Sequence, residues 1–157
     1  MADRNYWLVK SEPNSYSFAD LQTEEGQTAE WDGVRNYAAR NIMRDQMKAG
    51  DGVLFYHSST KPMAVIGTAV IVREGYPDDT AWDPSSEHPD PKSTPDNPIW
   101  YMVDIEAEQE LPRHVTLAEI KSTPGLENMV LVNRSRLSVQ PVRREEWEII
   151  VAMGKRG

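Results

Sequence analysis

Three short segments carry more polar and aromatic character than a buried core requires. They are Lys10-Ser11-Glu12-Pro13, Trp31-Asp32-Gly33-Val34-Arg35-Asn36 and Tyr56-His57-Ser58. Each falls where a strand ends or a helix begins, and sheet proteins gather functional groups at such edges. Lys10 and Glu12 stand two residues apart, which suits an ion pair, or a donor and an acceptor offered to a ligand. As a catalytic acid–base pair they lack a nucleophile with an activating base. His57 and Ser58 are neighbours in the chain, but a Ser-His dyad is a relation in space, so adjacency assigns nothing. The three histidines, His57, His88 and His114, are far apart and match no metal-ligand spacing. There is no glycine-rich phosphate loop. Cysteine is absent, which removes disulfide scaffolds and thiol catalysis. No cofactor and no metal is expected.

Trp31 is the most informative of these residues. Trp7, Trp100 and Trp147 fall on predicted strands or an amphipathic helix, where core packing accounts for them. Trp31 precedes the turn pair Asp32-Gly33 and leads into a helix. Such a tryptophan either plugs the core or offers a ring to a ligand, and the residues alone leave both roles open. The amides of Gly33 to Asn36 open a helix, so an acceptor or an anion is favoured in front of them. Arg35 has the reach for a phosphate or a base edge; its plainer role is a surface salt bridge, which is nearly neutral in energy.

The elements that must hold these groups follow from local pattern. Tyr6 to Lys10 is β-prone and reads as a first strand. Ser17 and Asp20 have capping-box spacing, with Tyr16 and Leu21 as a hydrophobic staple, so a short helix is predicted over 18–22. Trp31-Asp32-Gly33 reads as loop. A longer helix is predicted over 37–48, with Ala38, Ile42, Met43 and Met47 on one stripe and Gly50 as its stop. Strands follow over 52–56, 64–73, 99–106 and 137–142. Between Gly75 and Pro98 lie six of the eleven prolines, and that stretch reads as a long loop without helix or strand. Thr116 and Glu119 form a second capping box, with Val115 and Ile120 as its staple, and predict a helix over 117–121. A final amphipathic helix carries Trp147, Ile150 and Val151. Strands interspersed with short helices, without strict alternation, predict an α+β fold with a mixed, curled sheet.

The chain has 157 residues, 39% hydrophobic and 27% charged, which predicts one globular domain over 1–157. No apolar run approaches the ~18 residues of a membrane span. The N-terminal residues, Met1 to Asn5, lack the layout of a signal peptide, and a cytoplasmic protein is expected. The net charge of −8 opposes binding that rests on neutralising phosphates. Basic residues do gather at Arg35, Arg40, Arg44 and Lys48, and again at Arg134, Arg136, Arg143 and Arg144. On charge alone both groups read as solvated faces.

Taken together, these segments resemble the EVE domain. The likeness runs in order from Tyr6-Trp7-Leu8-Val9-Lys10-Ser11-Glu12-Pro13 through Trp31 to Tyr37, Ala39-Arg40-Asn41, Val53 to Ser58 and Gly67-Thr68-Ala69. It continues through Tyr76-Pro77-Asp78, Trp82-Asp83-Pro84, Asp90 to Ser93, Pro98 to Asp104 and Leu137 to Val142. The resemblance implies a PUA-like fold, a mixed β pseudo-barrel with short flanking helices, related to YTH and ASCH domains. It implies a monomeric, non-enzymatic module that binds a modified base in RNA or DNA and no membrane. By the YTH analogy Trp31 stacks on the base. Lys10 and Ser11 meet the base edge, and Gly33, Val34 and Asn36 line the same pocket. Arg35, Glu12, His57 and Ser58 complete its polar lining, and Tyr56, Trp82 and Tyr101 are candidates for a second aromatic wall. The last strand adds Ser138 and Gln140.

Stacking on an aromatic contributes about 1–3 kcal/mol per base. A buried methyl adds only about 0.8 kcal/mol, so strong discrimination needs a polar group on the wall. On this reading Trp31→Ala abolishes binding and leaves the fold intact. A second reading, by the ASCH relatives, is a small hydrolase of modified nucleosides that uses Lys10 and Glu12. A third is an interaction domain without a ligand.

Overall fold

Unbroken apolar runs at Trp7-Leu8-Val9 and Val53-Leu54-Phe55-Tyr56 place large side chains on both faces of two central strands, because successive residues of a strand point to opposite sides. The computed structural model describes residues 4–133 and 136–155, so Arg134 of the second basic group lies outside the described residues. Tyr6–Ser11 (β1) pairs in parallel with Gly52–His57 (β3) and antiparallel with Val139–Val142 (β6). Ala64–Pro77 (β4) and Tyr101–Thr116 (β5) form a long antiparallel pair, and Thr28–Glu30 (β2) joins the far edge of β5. The order is β2-β5-β4-β3-β1-β6, a mixed six-stranded sheet. Four register shifts along β4 and β5 bend the pair, and the sheet curls accordingly.

Each face has its own core. On the first, Trp7, Val9, Val53 and Phe55 pack with Phe18 and Leu21 of Phe18–Thr23 (α1) and with Ile42 and Met43 of Tyr37–Asp45 (α2). On the second, Leu8, Leu54 and Tyr56 pack beneath three helices. These are Leu117–Lys121 (α3), Val130–Asn133 (α4) and Arg144–Lys155 (α5), which contribute Ile120, Leu131, Trp147 and Ile150. Both capping boxes form as their spacing predicts, at Ser17 with Asp20 and at Thr116 with Glu119. This is the α+β architecture expected from the sequence.

Several expectations are corrected. The helix that opens at Tyr37 ends at Asp45 rather than Lys48, because the buried Asp51 carboxylate takes the Lys48 amide. The stretch 75–98 is not without structure. β4 runs through it to Pro77, and a 3-10 turn follows at Asp79–Trp82. Its remainder is tied down by Ser93 Oγ, which accepts from the Ile99 amide at 2.9 Å, and by Asp90 Oδ2, which accepts from Trp100 Nε1 at 2.6 Å. β2 and α4 were not predicted. No helix among the described residues is long and apolar enough to cross a membrane.

Asp51 also accepts from Trp7 Nε1 at 2.8 Å and from the Asn5 amide at 3.1 Å, so one carboxylate joins the start of β1 to the turn before β3. Asp51→Ala leaves these donors without an acceptor. It should lower the unfolding free energy by about 3 kcal/mol in urea denaturation, since hydrogen bonds to a charged group contribute about 1.5–3 kcal/mol each. A loss below about 1 kcal/mol would contradict this role.

Candidate functional site

The end of β1 and the segment that follows β2 enclose a cleft of about 720 Å³. One side is built by β1 and the turn after it. The Lys10 amide donates to Ser138 O at 2.9 Å, and Ser11 O accepts from the Ser58 amide at 2.9 Å. Glu12 O then accepts from the amides of Ser15 and Tyr16, and Ser11 Oγ donates to Tyr16 O. This tight turn brings the Tyr16 ring against Trp31, with centroids 6.2 Å apart at 74°. Tyr16 Oη donates to Glu24 at 2.8 Å. Burial first, then the Glu24 hydrogen bond and charge, push the phenol well above its usual pKa.

The other side is built by β2 and its continuation. β2 pairs with Asp104, Ile105 and Glu106 of β5, and the Trp31 amide extends the ladder by donating to Val103 O at 2.7 Å. Trp31 itself follows the last residue of that strand, as the loop reading expects, but its amide ties it to the sheet edge. Its ring meets Phe55 edge to face at 5.4 Å, and only 9% of the residue is exposed, toward the cleft. The two roles that the sequence left open coincide: Trp31 belongs to the core and lines the cleft. Trp31→Ala is thus not neutral to the fold, since a buried Trp→Ala change costs about 3–5 kcal/mol.

Beyond Trp31 the chain turns at Gly33, whose φ of +77° is left-handed, and an added Cβ there would lie 2.8 Å from His88 Nε2. The Gly33 amide donates to Asp78 Oδ2 at 2.9 Å, and Arg35 Nη1 donates to the same oxygen at 2.9 Å. Arg35 also donates to His88 O, at 2.7 Å from Nη2 and 3.2 Å from Nε, and to Val34 O. The side chain that sequence reasoning offered to a phosphate is therefore occupied within the protein. Its partner Asp78 is wholly buried, so the pair is not the surface bridge that was the plainer expectation. Burial opposes the Asp78 charge, but hydrogen bonds from Thr80, Gly33 and Arg35 outweigh it and hold the carboxyl below its usual pKa.

Of the residues singled out in the sequence, Lys10, Ser11, Glu12, Trp31, Gly33, Val34, Arg35 and Ser138 line the cleft together. The others lie elsewhere. Asn36 caps α2 by accepting from the Ala39 amide. Tyr56 is buried in the second core, on the opposite face of the sheet from Phe55 and Trp31. The Lys10 ammonium lies 5.9 Å from the Tyr56 ring centroid, and burial lowers its pKa. His57 Nε2 accepts from the Phe18 amide at 3.1 Å, and burial, then the His114 charge, lower its pKa. Ser58 packs beside Ser11 through its amide. Trp82 sits half-buried in the 3-10 turn, and Tyr101 opens β5. Gln140 is fully buried, its Nε2 donating to Leu137 O. Sequence reasoning did not assign Tyr16, Glu24, Glu30, Asp32 and Glu87 to the site, although all five line the cleft. Among the described residues, no group of three or more His, Asp or Glu side chains is placed to hold a metal ion.

The model of the EVE domain family matches residues 5–153. The chain belongs to the EVE domain family. Human thymocyte nuclear protein 1 is 43% identical over 166 residues, which cover 95% of this EVE domain and 73% of the human protein. The structure of that human protein in complex with 5-methylcytosine-containing DNA superposes with a TM-score of 0.91 at 41% identity, covering 98% of this chain and 99% of that one. A hypothetical protein of Leishmania major gives a TM-score of 0.93 at 48% identity, covering 98% and 96%. An ASCH protein of Zymomonas mobilis shares the fold alone, with a TM-score of 0.54 at 13% identity over 96% and 99% of the two chains.

Asp78 makes the cleft wall dependent on pH. Its folded pKa lies below the 3.8 of a free carboxyl, so its stabilisation is complete above that value and is lost as pH falls through the folded pKa. Asp78→Asn should be less stable than the parent by about 3 kcal/mol at pH 7, because it breaks a buried charge pair. Denaturation series at several pH values should show that gap shrinking below pH 3.8. A gap independent of pH would contradict the assignment.

Proposed function

We propose that the cleft receives one modified nucleobase, turned out of a DNA or RNA strand, with Trp31 as its aromatic wall. The observation that carries this reading is the aromatic corner of Trp31 and Tyr16, set in a cleft of about 720 Å³ and rimmed by carboxylates. Pockets of ~300–1,000 Å³ suit a small ring-bearing ligand. The human relative solved with 5-methylcytosine-containing DNA supports nucleic acid as the partner. A base must leave its stack to enter such a cleft, which favours single strands or flipping.

The lining also favours one kind of base. Glu12, Glu24, Glu30, Asp32 and Glu87 all line the cleft, while of the two cations in its lining the Lys10 ammonium lies over Tyr56 and Arg35 already pairs with Asp78. Such a lining repels phosphate. It suits a base that presents an exocyclic amino group, since carboxylates accept from the amino group of cytosine. Asp32 is half-buried. Burial first, helped by the Asp78 charge and opposed by His88 and Arg35, raises its pKa. A hydrolase built on Lys10 and Glu12 gains no support from the ammonium position over Tyr56, and binding without turnover is the function we assign.

Trp31→Phe keeps an aromatic ring in the core and shortens the stacking surface. It should weaken binding of a 5-methylcytosine oligonucleotide several-fold while costing only about 1–2 kcal/mol of stability. Affinity for the same probe should fall as pH is lowered toward the raised Asp32 pKa, and Asp32→Asn should remove that acid limb. Fluorescence anisotropy across pH reads both effects. Unchanged affinity in Trp31→Phe, with the acid limb intact in Asp32→Asn, would sink the pocket assignment.

A further inference from the structure

A stack of rings and guanidinium groups leads away from the cleft along α2. Arg35, on the cleft wall, has its guanidinium 5.6 Å from the Trp100 ring centroid. Trp100 stacks on Tyr37, with centroids 4.9 Å apart at 31°. The Arg40 guanidinium lies 5.0 Å from the Tyr37 centroid, and one helical turn further Arg44 lies 5.9 Å from that of Tyr101. Tyr37 is 59% exposed, more than any other large hydrophobic side chain among the described residues. The rest of the stack is anchored: Trp100 is buried and its Nε1 is held by Asp90.

The cations of this face differ in what balances them. Arg35 pairs with Asp78, Arg44 with Asp45 and Lys48 with Glu74. Arg40 forms no ion pair among the described residues. Its Nη1 donates to Ile99 O at 2.8 Å and its Nε to Asn41 Oδ1 at 2.9 Å, both neutral acceptors. Arg40 thus sets a guanidinium, fixed in direction but not neutralised, beside an exposed ring. The exposed Arg44–Asp45 pair contributes little and exchanges readily for another anion.

We infer that this face docks the single strand flanking the bound base, with a neighbouring base stacked on Tyr37 and its phosphate on Arg40. The inference rests on the cleft as the base site. It resolves the conflict between the acidic cleft and a polyanionic partner: base recognition and backbone contact occupy separate surfaces, joined through Arg35 and Trp100. Stacking on an aromatic ring tolerates any base, so this contact adds affinity without sequence preference.

The test compares 5-methylcytidine with a short single-stranded DNA carrying one 5-methylcytosine. Tyr37→Ala should weaken DNA binding roughly ten-fold and leave nucleoside binding unchanged. Arg40→Gln should reduce the slope of log affinity against log salt by about 0.7, the value for one phosphate contact on a single strand. Arg40→Lys should restore most of that slope. Circular dichroism should find all three variants folded, since Tyr37 is exposed and opens its helix and Arg40 is only half-buried. Wild-type DNA affinity in Tyr37→Ala and a wild-type slope in Arg40→Gln would overturn the docking face, while loss of binding in Trp31→Phe would leave the cleft reading standing. Equal loss of nucleoside and DNA binding in Tyr37→Ala would also overturn it, because Tyr37 would then act through the cleft. DNA and nucleoside both failing to bind the unaltered protein would overturn the docking face and the cleft reading together.

Discussion

The buried carboxylate of Asp78 joins two stretches of chain that lie 43 residues apart in sequence. It receives the Gly33 amide, the Arg35 guanidinium and both the amide and the hydroxyl of Thr80. The segment that leaves β4 for the 3-10 turn and the turn after β2 are thereby held to one point. A buried charge is tolerated only when its hydrogen-bonding capacity is met, and here Gly33 and Arg35 of the cleft wall share that task with Thr80 behind it. Arg35 in turn grips His88 O, and the His88 ring lies against Gly33, where no side chain would fit. The cleft wall is thus rigid without any helix or long strand of its own.

That constraint explains why Trp31 serves two ends. Its amide completes the β2 ladder, its ring packs edge to face on Phe55, and a small part of it reaches the cleft. A ring so fixed loses little freedom when a base stacks on it, so less of the stacking energy is offset by ordering. The same fixation couples recognition to stability, and truncating the indole weakens both. Tyr16 has the complementary arrangement. It is set by a turn rather than a sheet, and its hydroxyl is engaged with Glu24.

Much of the scaffold was legible because its causes are local. The capping boxes at Ser17 and Thr116 need only three residues, and both form. The apolar runs at Trp7–Val9 and Val53–Tyr56 read as strands from their length and residue types, and the pairing then places both inside the sheet. β2 could not be read, since Thr28-Ala29-Glu30 has no alternation and gains its pairing from residues 104–106. The lining of the cleft was legible on the β1 side, where Lys10, Ser11 and Glu12 follow directly from a strand end. It was less so opposite, because the partner of Arg35 is 43 residues away and the acidic rim comes from four separate segments. Tyr56 carried a usable signal that went unread: a period of two puts it on the opposite face from Phe55.

The central claim is that one base enters between Trp31 and the end of β1. Titrating isotope-labelled protein with a short 5-methylcytosine DNA, followed by amide and indole NMR, tests it most directly. Saturable shifts at the Trp31 indole and at the amides of Ser11, Asp32, Gly33 and Ser138 are predicted. Shifts confined to another surface, such as the Arg4, Tyr6 and Trp147 stack on the opposite face, would contradict the account.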